Sequence, residues 1–289
     1  EGCSSLSGSI EISENCEKIG KRAFALCGGC AGQLILSKKI EILEEFTFYK
    51  CSSLSGTLVI TDSIKSIGNC CFKDCSSFSK LEFGVDPKLE LIYKSSFENC
   101  IGFKGNLDFP NGVTKIFESA FSNCSGFDGT LTFNEAIETI GNDAFSYCSR
   151  FSKLQFSQSS SLKIGDRAFN DCSGFKGSLD LSNGVSDIGK SAFEYCSGFD
   201  KLVPSSSLKI VQERTFYCCS GFKGEFDFSS YTELCDEAFC GCSGFNGKLV
   251  LCDIIYHNAV FANCSGFTSI DFITNKVSSI NSYTFKGCT

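Results

Sequence analysis

The sequence predicts an all-β-rich repeat solenoid of about twelve coils, each of 22–25 residues, with a parallel sheet on one face. Two ladders and one alternation carry that prediction. A cysteine returns at Cys3, Cys27, Cys51, Cys75, Cys100, Cys124, Cys148, Cys172, Cys196, Cys219, Cys242, Cys264 and Cys288. A phenylalanine, usually closing an Ala-Phe pair, keeps the same beat from Phe24 and Phe48 through Phe145 and Phe169 to Phe261 and Phe285. Between them an L-x-L step of period two recurs in nearly every unit. Self-similarity at a fixed period marks units that cannot bury an apolar side alone and must be covered by their neighbours.

Residues 172–195, CSGFKGSLDLSNGVSDIGKSAFEY, show each element in order. Alternation at Leu179 and Leu181 predicts a short strand, since the stretch is too brief and too broken by glycine for a helix. Ser182, Asn183 and Gly184 form the next turn, and Val185 and Ile188 lie on a second extended leg. Gly189 lets the chain bend, after which Ala-Phe-x-x-Cys should make a single helical or 3₁₀ turn. Stacked at the inter-strand spacing of roughly 4.8 Å, the coils make a rod or shallow arc on the order of 60 Å long.

The core columns follow. Strand pairs run from Ile10/Ile12 and Leu34/Leu36 to Leu249/Leu251 and Ile270/Phe272, with Pro204 as the interruption. Three residues after each ladder cysteine stand Leu6, Cys30 and Leu54, then phenylalanine from Phe78 to Phe267. With the Ala-Phe column this puts 21 of the 30 phenylalanines in the core, so the phenylalanine content reads as packing rather than a ligand cage. The spacer before the strand has two forms. Most units carry F-x-G-x-L, whereas those around Lys80, Lys153, Lys201 and Ser269 drop a residue and compensate later, as at Val85-Asp86-Pro87 or Ser159-Ser160-Ser161. Repeats ten and eleven depart most, with Tyr231, Cys235 and the run 251–256, and any local specialisation is expected there.

Phrases such as CSSLSGTLVITDSIKSIG and CSGFKGNLDFPNGVTKIFESAF resemble the BspA-like, or Treponema pallidum-type, leucine-rich repeat, C-x-x-L-x-x-L-x-[LI]-P-x-x-V-x-x-I-G-x-x-A-F. The resemblance extends over all twelve repeats. It implies a leucine-rich-repeat solenoid of a kind typical of surface proteins of anaerobic bacteria and parasitic protists, where adhesion to host proteins or other cells is the usual role. It implies no individual functional residue. Extra glycines, phenylalanine for leucine, and a loop proline kept only at Pro110 are the departures.

Unbroken periodicity predicts one continuous solenoid over residues 1–289, with no linker. A net charge of −7 and a pI near 4.9, with no long basic run, argue against nucleic acid and acidic membranes as partners. No apolar run approaches the roughly 20 residues of a membrane span, so direct insertion is not expected. Neither end carries a polar capping unit, so the chain is expected to be a segment of something longer or to have its ends covered by partners.

Twenty-one cysteines would ordinarily indicate a disulfide scaffold, but successive ladder cysteines stand too far apart for the roughly 3.8 Å between Cβ atoms that a disulfide prefers. Buried thiols acting as small hydrophobes are expected instead. Cys218 and Cys240, just outside the ladder in adjacent coils, are the candidate disulfide. Cys27-Gly28-Gly29-Cys30 matches C-x-x-C without a thioredoxin context, and Cys218, Cys219, Cys240 and Cys242 make a poor zinc set because two face inward. His257, the single histidine, has no catalytic partner column. No catalytic residue, metal or cofactor is expected.

The outward residue between the two core strand positions is the candidate binding column. It reads Glu11, Ile35, Val59, Glu82, Asp108, Thr132, Gln155, Asp180, Val203, Asp227, Val250 and Asp271, with Lys104, Lys176, Lys201, Lys223 and Lys248 beside it. Six acids and no base stacked in one column favour a basic protein surface or Ca²⁺. Glu82, Asp108, Thr132, Gln155, Asp180, Asp227 and Asp271 are the site residues. Asn123 and Asn263 head N-x-S sequons and are candidate glycosylation sites if the chain is secreted by a eukaryote. The expected function is a non-enzymatic cell-surface or secreted module that binds a protein ligand or a host or cell-surface protein through its sheet face. The alternative is head-to-tail self-association into an extracellular fibre.

Overall fold

The computed structural model describes residues 2, 6–159, 161–272, 277 and 279–289. Cys3 and Ser160, which belong to the patterns above, lie outside the described residues. Among the described residues there are 21 short strands and no helix, and every strand pair is parallel. The chain is a parallel β-solenoid, as the periodicity predicts, of about eleven turns where about twelve coils are expected.

The two legs of the coil differ in continuity. The second leg, the V-x-x-I step, builds a seven-stranded sheet from Ile42–Leu43, Ser66–Ile67, Leu91–Ile92, Lys115–Ile116, Thr139–Ile140, Leu162–Ile164 and Val185–Ile188. The L-x-L leg, expected to carry the sheet, forms only patches of two or three strands. Two of the breaks follow shortened units: Phe78–Phe83 does not pair with Leu107–Asp108, and Lys153–Phe156 does not pair with Gly177–Asp180. Register also slips inside two pairs, at Gly56/Thr57 against Phe78–Phe83 and at Gly177/Ser178 against Phe199–Val203. Pro204 adds a further break: Leu181 N–H donates to Val203 O in the next coil, and Pro204 has no N–H for the same bond one coil on. No strand forms at Phe226 and Phe228.

The Ala-Phe-x-x-Cys segment departs from the expected helical or 3₁₀ turn. Around Phe169 the N–H groups alternate. Arg167, Phe169 and Asp171 donate to Lys190, Ala192 and Glu194 of the next coil at 2.8–2.9 Å, while Ala168, Asn170 and Cys172 close tight turns three residues back. Alternation of this kind bends the chain through two left-handed residues per coil, here Arg167 at φ 52° and Asp171 at φ 58°. The pattern recurs along the stack, mostly at non-glycine residues, each of which carries a cost on the order of 1 kcal/mol that the inter-coil bonds must offset.

Inside, the phenylalanine column is continuous. Phe121, Phe145, Phe169 and Phe193 stack face to face with centroids 5.3, 5.5 and 5.1 Å apart, matching the coil rise with the offset that aromatic quadrupoles prefer. The ladder cysteines do more than fill space. Cys148, Cys172 and Cys196 each donate an S–H to the carbonyl of the preceding coil's phenylalanine at 3.1 Å. No disulfide joins any described cysteine.

Two predictions follow from this packing. Phe145→Ala should cost about 3–5 kcal/mol, read as a fall in the urea midpoint, because the rings above and below lose their partner. Burial pushes the thiols of Cys51 and Cys148 up to about 12 from an ordinary value near 9. A thiol that keeps its proton longer when folded stabilises the fold fully below pH 9, and that contribution is lost as pH rises towards 12. The urea midpoint should fall across that window, and less steeply in Cys148→Ala.

Candidate functional site

Period-two geometry places the outward column of the L-x-L leg in solvent, and the structure distributes its acids into three situations. Asp180 accepts hydrogen bonds from Ser182 N at 2.9 Å and Ser182 Oγ at 2.6 Å, and Asp227 accepts one from Ser229 N at 2.8 Å. The Ser229 side chain and amide hold the Asp227 carboxyl below the usual carboxylate range. Both aspartates therefore close turns at the strand end. Glu82 pairs with Lys80 at 2.6 Å on its own strand, and Asp271 pairs with Lys248 of the preceding coil. Of the five acids among the candidate site residues, Asp108 alone has neither an ion pair nor a side-chain hydrogen bond among the described residues. It stands in register with Thr132, which is in register with Gln155, so three uncommitted polar side chains line up across three coils.

Beside that row the sheet is open. Phe78–Phe83 pairs backwards with Gly56–Ile60 and not forwards with Leu107–Asp108. Along this break runs a groove of about 850 Å³ whose walls include Lys80, Glu82, Val85, Asp108 and Pro110. Val85 is fully exposed on the Val85-Asp86-Pro87 insertion. The shortened spacer and its compensating insertion thus produce both the break and the groove. On the second-leg side, charges are largely paired between coils, as in Lys65 with Glu41, Lys94 with Glu118 and Arg167 with Asp143, each at 2.8 Å. Pairs this exposed contribute little stability and leave that side without strong net potential.

The model of the BspA type leucine-rich repeat region matches residues 1–128, 55–176, 129–246 and 253–289. The chain belongs to the BspA-type leucine-rich repeat family. Its solenoid is similar to the crystal structure of a leucine-rich repeat protein from Bacteroides ovatus, at 21% identity and a TM-score of 0.72, covering 99% of this chain and 78% of that one. A leucine-rich repeat protein from Eubacterium ventriosum is similar at 15% identity and a TM-score of 0.50, covering 98% and 70%. A leucine rich cell surface protein from Faecalibacterium prausnitzii is similar at 16% identity and a TM-score of 0.41, covering 84% and 87%. No curated protein matches the chain. No helix among the described residues is long and apolar enough to cross a membrane.

The remaining BspA-type positions sort by burial. Cys27 and Cys30 are core residues, and Cys219 and Cys242 turn inward to bond Phe193 and Phe216 carbonyls, so neither cysteine set converges on a ligand. Cys218 N–H donates to Cys240 O at 2.7 Å, yet both side chains are thiols here. Asn123 is half-buried, with Nδ2 donating to Asn99 Oδ1 at 3.0 Å, whereas Asn263 is exposed. One cluster escaped the sequence reading. His257 Nε2 lies 2.7 Å from Glu233 Oε1, and Cys235 stands beside them. The pair is 24 residues apart, and the signal that could have found it is that His257 sits one repeat after Cys235 in the same column.

Asp180→Ala should lower stability by about 0.5–1 kcal/mol through loss of its turn. Asp108→Ala should leave stability within about 0.5 kcal/mol of the native chain. Parallel urea melts read both.

Proposed function

We propose that this BspA-type chain is a non-enzymatic module, displayed at the cell surface or secreted, that binds a protein partner at the L-x-L face. The observation that carries this reading is the row Asp108, Thr132 and Gln155, uncommitted to internal bonds and bordering the groove that Glu82 also lines. Polar groups already held in turns or ion pairs gain little from a partner, whereas uncommitted ones exchange water for new bonds. The partner that fits carries a basic group for Asp108 and an apolar group for Val85 and Pro110. Adhesion to host or neighbouring cells is the form of such binding expected from the family resemblance. Oxidation of Cys218 with Cys240 and glycosylation at Asn263 are proposals that fit a chain exported from the cell, and both leave this face untouched.

The test is a pull-down from surface-protein extracts using the native chain and the double variant Glu82→Lys, Asp108→Lys as baits. Proteins held by the native chain and lost by the variant, at unchanged melting temperature, support the reading. Equal retention by both rejects it. End-to-end growth into a fibre is the competing arrangement. Negative-stain imaging across a concentration series separates the two, since threads of constant width that lengthen with concentration would replace the docking reading.

A further inference from the structure

The strands Ile210–Val211, Glu233–Leu234 and Ile255–Tyr256 form a separate three-stranded sheet in the coils whose sequence departs most from the repeat. Glu233 and Cys235 are two residues apart on one leg and so project to the same side. Leu234 is in register with Tyr256, which sets His257 next to Cys235 one coil on. The ligand atoms of Glu233, Cys235 and His257 all lie within 4.8 Å of one another, with Nε2 to Oε1 at 2.7 Å and Sγ to Oε1 at 3.9 Å. All three side chains are half-buried. Their backbones are fixed, since Cys235 N–H donates to Val211 O at 2.9 Å and His257 N–H donates to Leu234 O at 3.0 Å.

The column that supplies Cys235 and His257 is glycine in several other coils. A Cβ placed on Gly141 would stand 2.7 Å from Glu118 N, and one on Gly189 would stand 2.5 Å from Asp166 N, because neighbouring coils touch there. Other coils do place side chains here, as with Tyr93 and Phe117 in consecutive coils, whose rings stack at 5.0 Å, so side chains at this position in neighbouring coils stand directly against one another. The chain's single histidine and one of its eight cysteines outside the ladder occupy this column in consecutive coils, beside a carboxylate.

We propose that Glu233, Cys235 and His257 form a zinc site that clips two adjacent coils together. Zinc takes thiolate sulfur at about 2.3 Å and imidazole nitrogen or carboxylate oxygen at about 2.0–2.2 Å. Tetrahedral ligands then stand roughly 3.3–3.8 Å apart, within the spread seen here. A mixed sulfur, nitrogen and oxygen set suits a borderline divalent ion, whereas Ca²⁺ and Mg²⁺ take oxygen throughout. Binding releases the thiol proton, and the neutral imidazole carries its ring proton on Nδ1 while Nε2 faces the ion, so two anionic ligands and a neutral imidazole balance the ion's charge. Glu213 and Asp236 are the nearby acids. Glu213 is paired with Lys190 at 3.0 Å, and Asp236 accepts a hydrogen bond from Asn258 N at 2.8 Å, which leaves the fourth tetrahedral position to water or to a side chain of a partner.

Titration calorimetry of the full chain with zinc chloride, in a non-chelating phosphine reductant, tests this. Cobalt(II) substitution supplies a second readout, tetrahedral d–d absorption together with a sulfur-to-cobalt band. The native chain should bind a single equivalent. Cys235→Gly and His257→Gly both install the residue that other coils carry, so the fold should hold by circular dichroism while zinc affinity falls at least about 10-fold, as loss of a first ligand requires. Glu233→Gln should weaken binding in the same direction. Cys235→Gly retains every other thiol, so stoichiometric binding or an unchanged cobalt spectrum in that variant would overturn the proposal, as would an absence of binding by the native chain.

Discussion

In every turn from Phe24 to Phe261 the phenylalanine carbonyl accepts two hydrogens. One comes from the backbone N–H of the cysteine three residues on, and the other from the thiol of the cysteine one coil later, as when Phe169 O receives Cys172 N–H and Cys196 S–H. A carbonyl has two lone pairs, and burial without partners for them is costly. Cysteine meets that demand where serine would not do as well. Its thiol is apolar enough to lie among phenylalanine rings and still donates weakly along the stack. The bond links each coil to the one before it, the Phe column repeats with the same rise, and the alternating N–H groups of the turn link each coil to the one after it. Solenoid stability is a sum of such nearest-neighbour terms, so one local geometry repeated is sufficient for the whole rod.

The periodic part of this was legible because a column needs only one residue type at one spacing. Phe145, Leu179 and Cys172 announce their burial through their neighbours above and below. The turn was misread for a physical reason: Ala-Phe-x-x-Cys has the look of a local helical turn, but Arg167, Phe169 and Asp171 send their N–H groups to another coil, and sequence adjacency says nothing of that. Sheet continuity failed to show for a related reason. The L-x-L alternation is the stronger local signal, yet its pairing depends on how two neighbouring spacers of different length stack, whereas the V-x-x-I leg stays paired over seven coils even across a register shift at Leu162/Lys163.

The same distinction governs the candidate site. That Asp108, Thr132 and Gln155 face one side follows from period two, and so does the alignment of Asp180, Asp227 and Asp271. Which of them is uncommitted depends on a serine two residues on, at Ser182 and Ser229, or a lysine one coil back, at Lys248. A column that reads as a uniform acidic spine is thereby reduced to a short local feature beside one groove.

Irregularity in this chain is therefore informative in proportion to how strictly the rest repeats. At Val85-Asp86-Pro87 an insertion restores coil length after a shortened spacer and flanks a groove. At Cys235 and His257 side chains enter a column where several coils keep glycine because their backbones touch. The first departure interrupts a ladder, and the second sets a thiol and an imidazole beside a carboxylate. A repeat whose consensus already satisfies its carbonyls, rings and N–H groups gains nothing from such residues within the core. Their side chains are directed at solvent, at one another, or at something bound, and those are the positions at which a uniform rod becomes a particular protein.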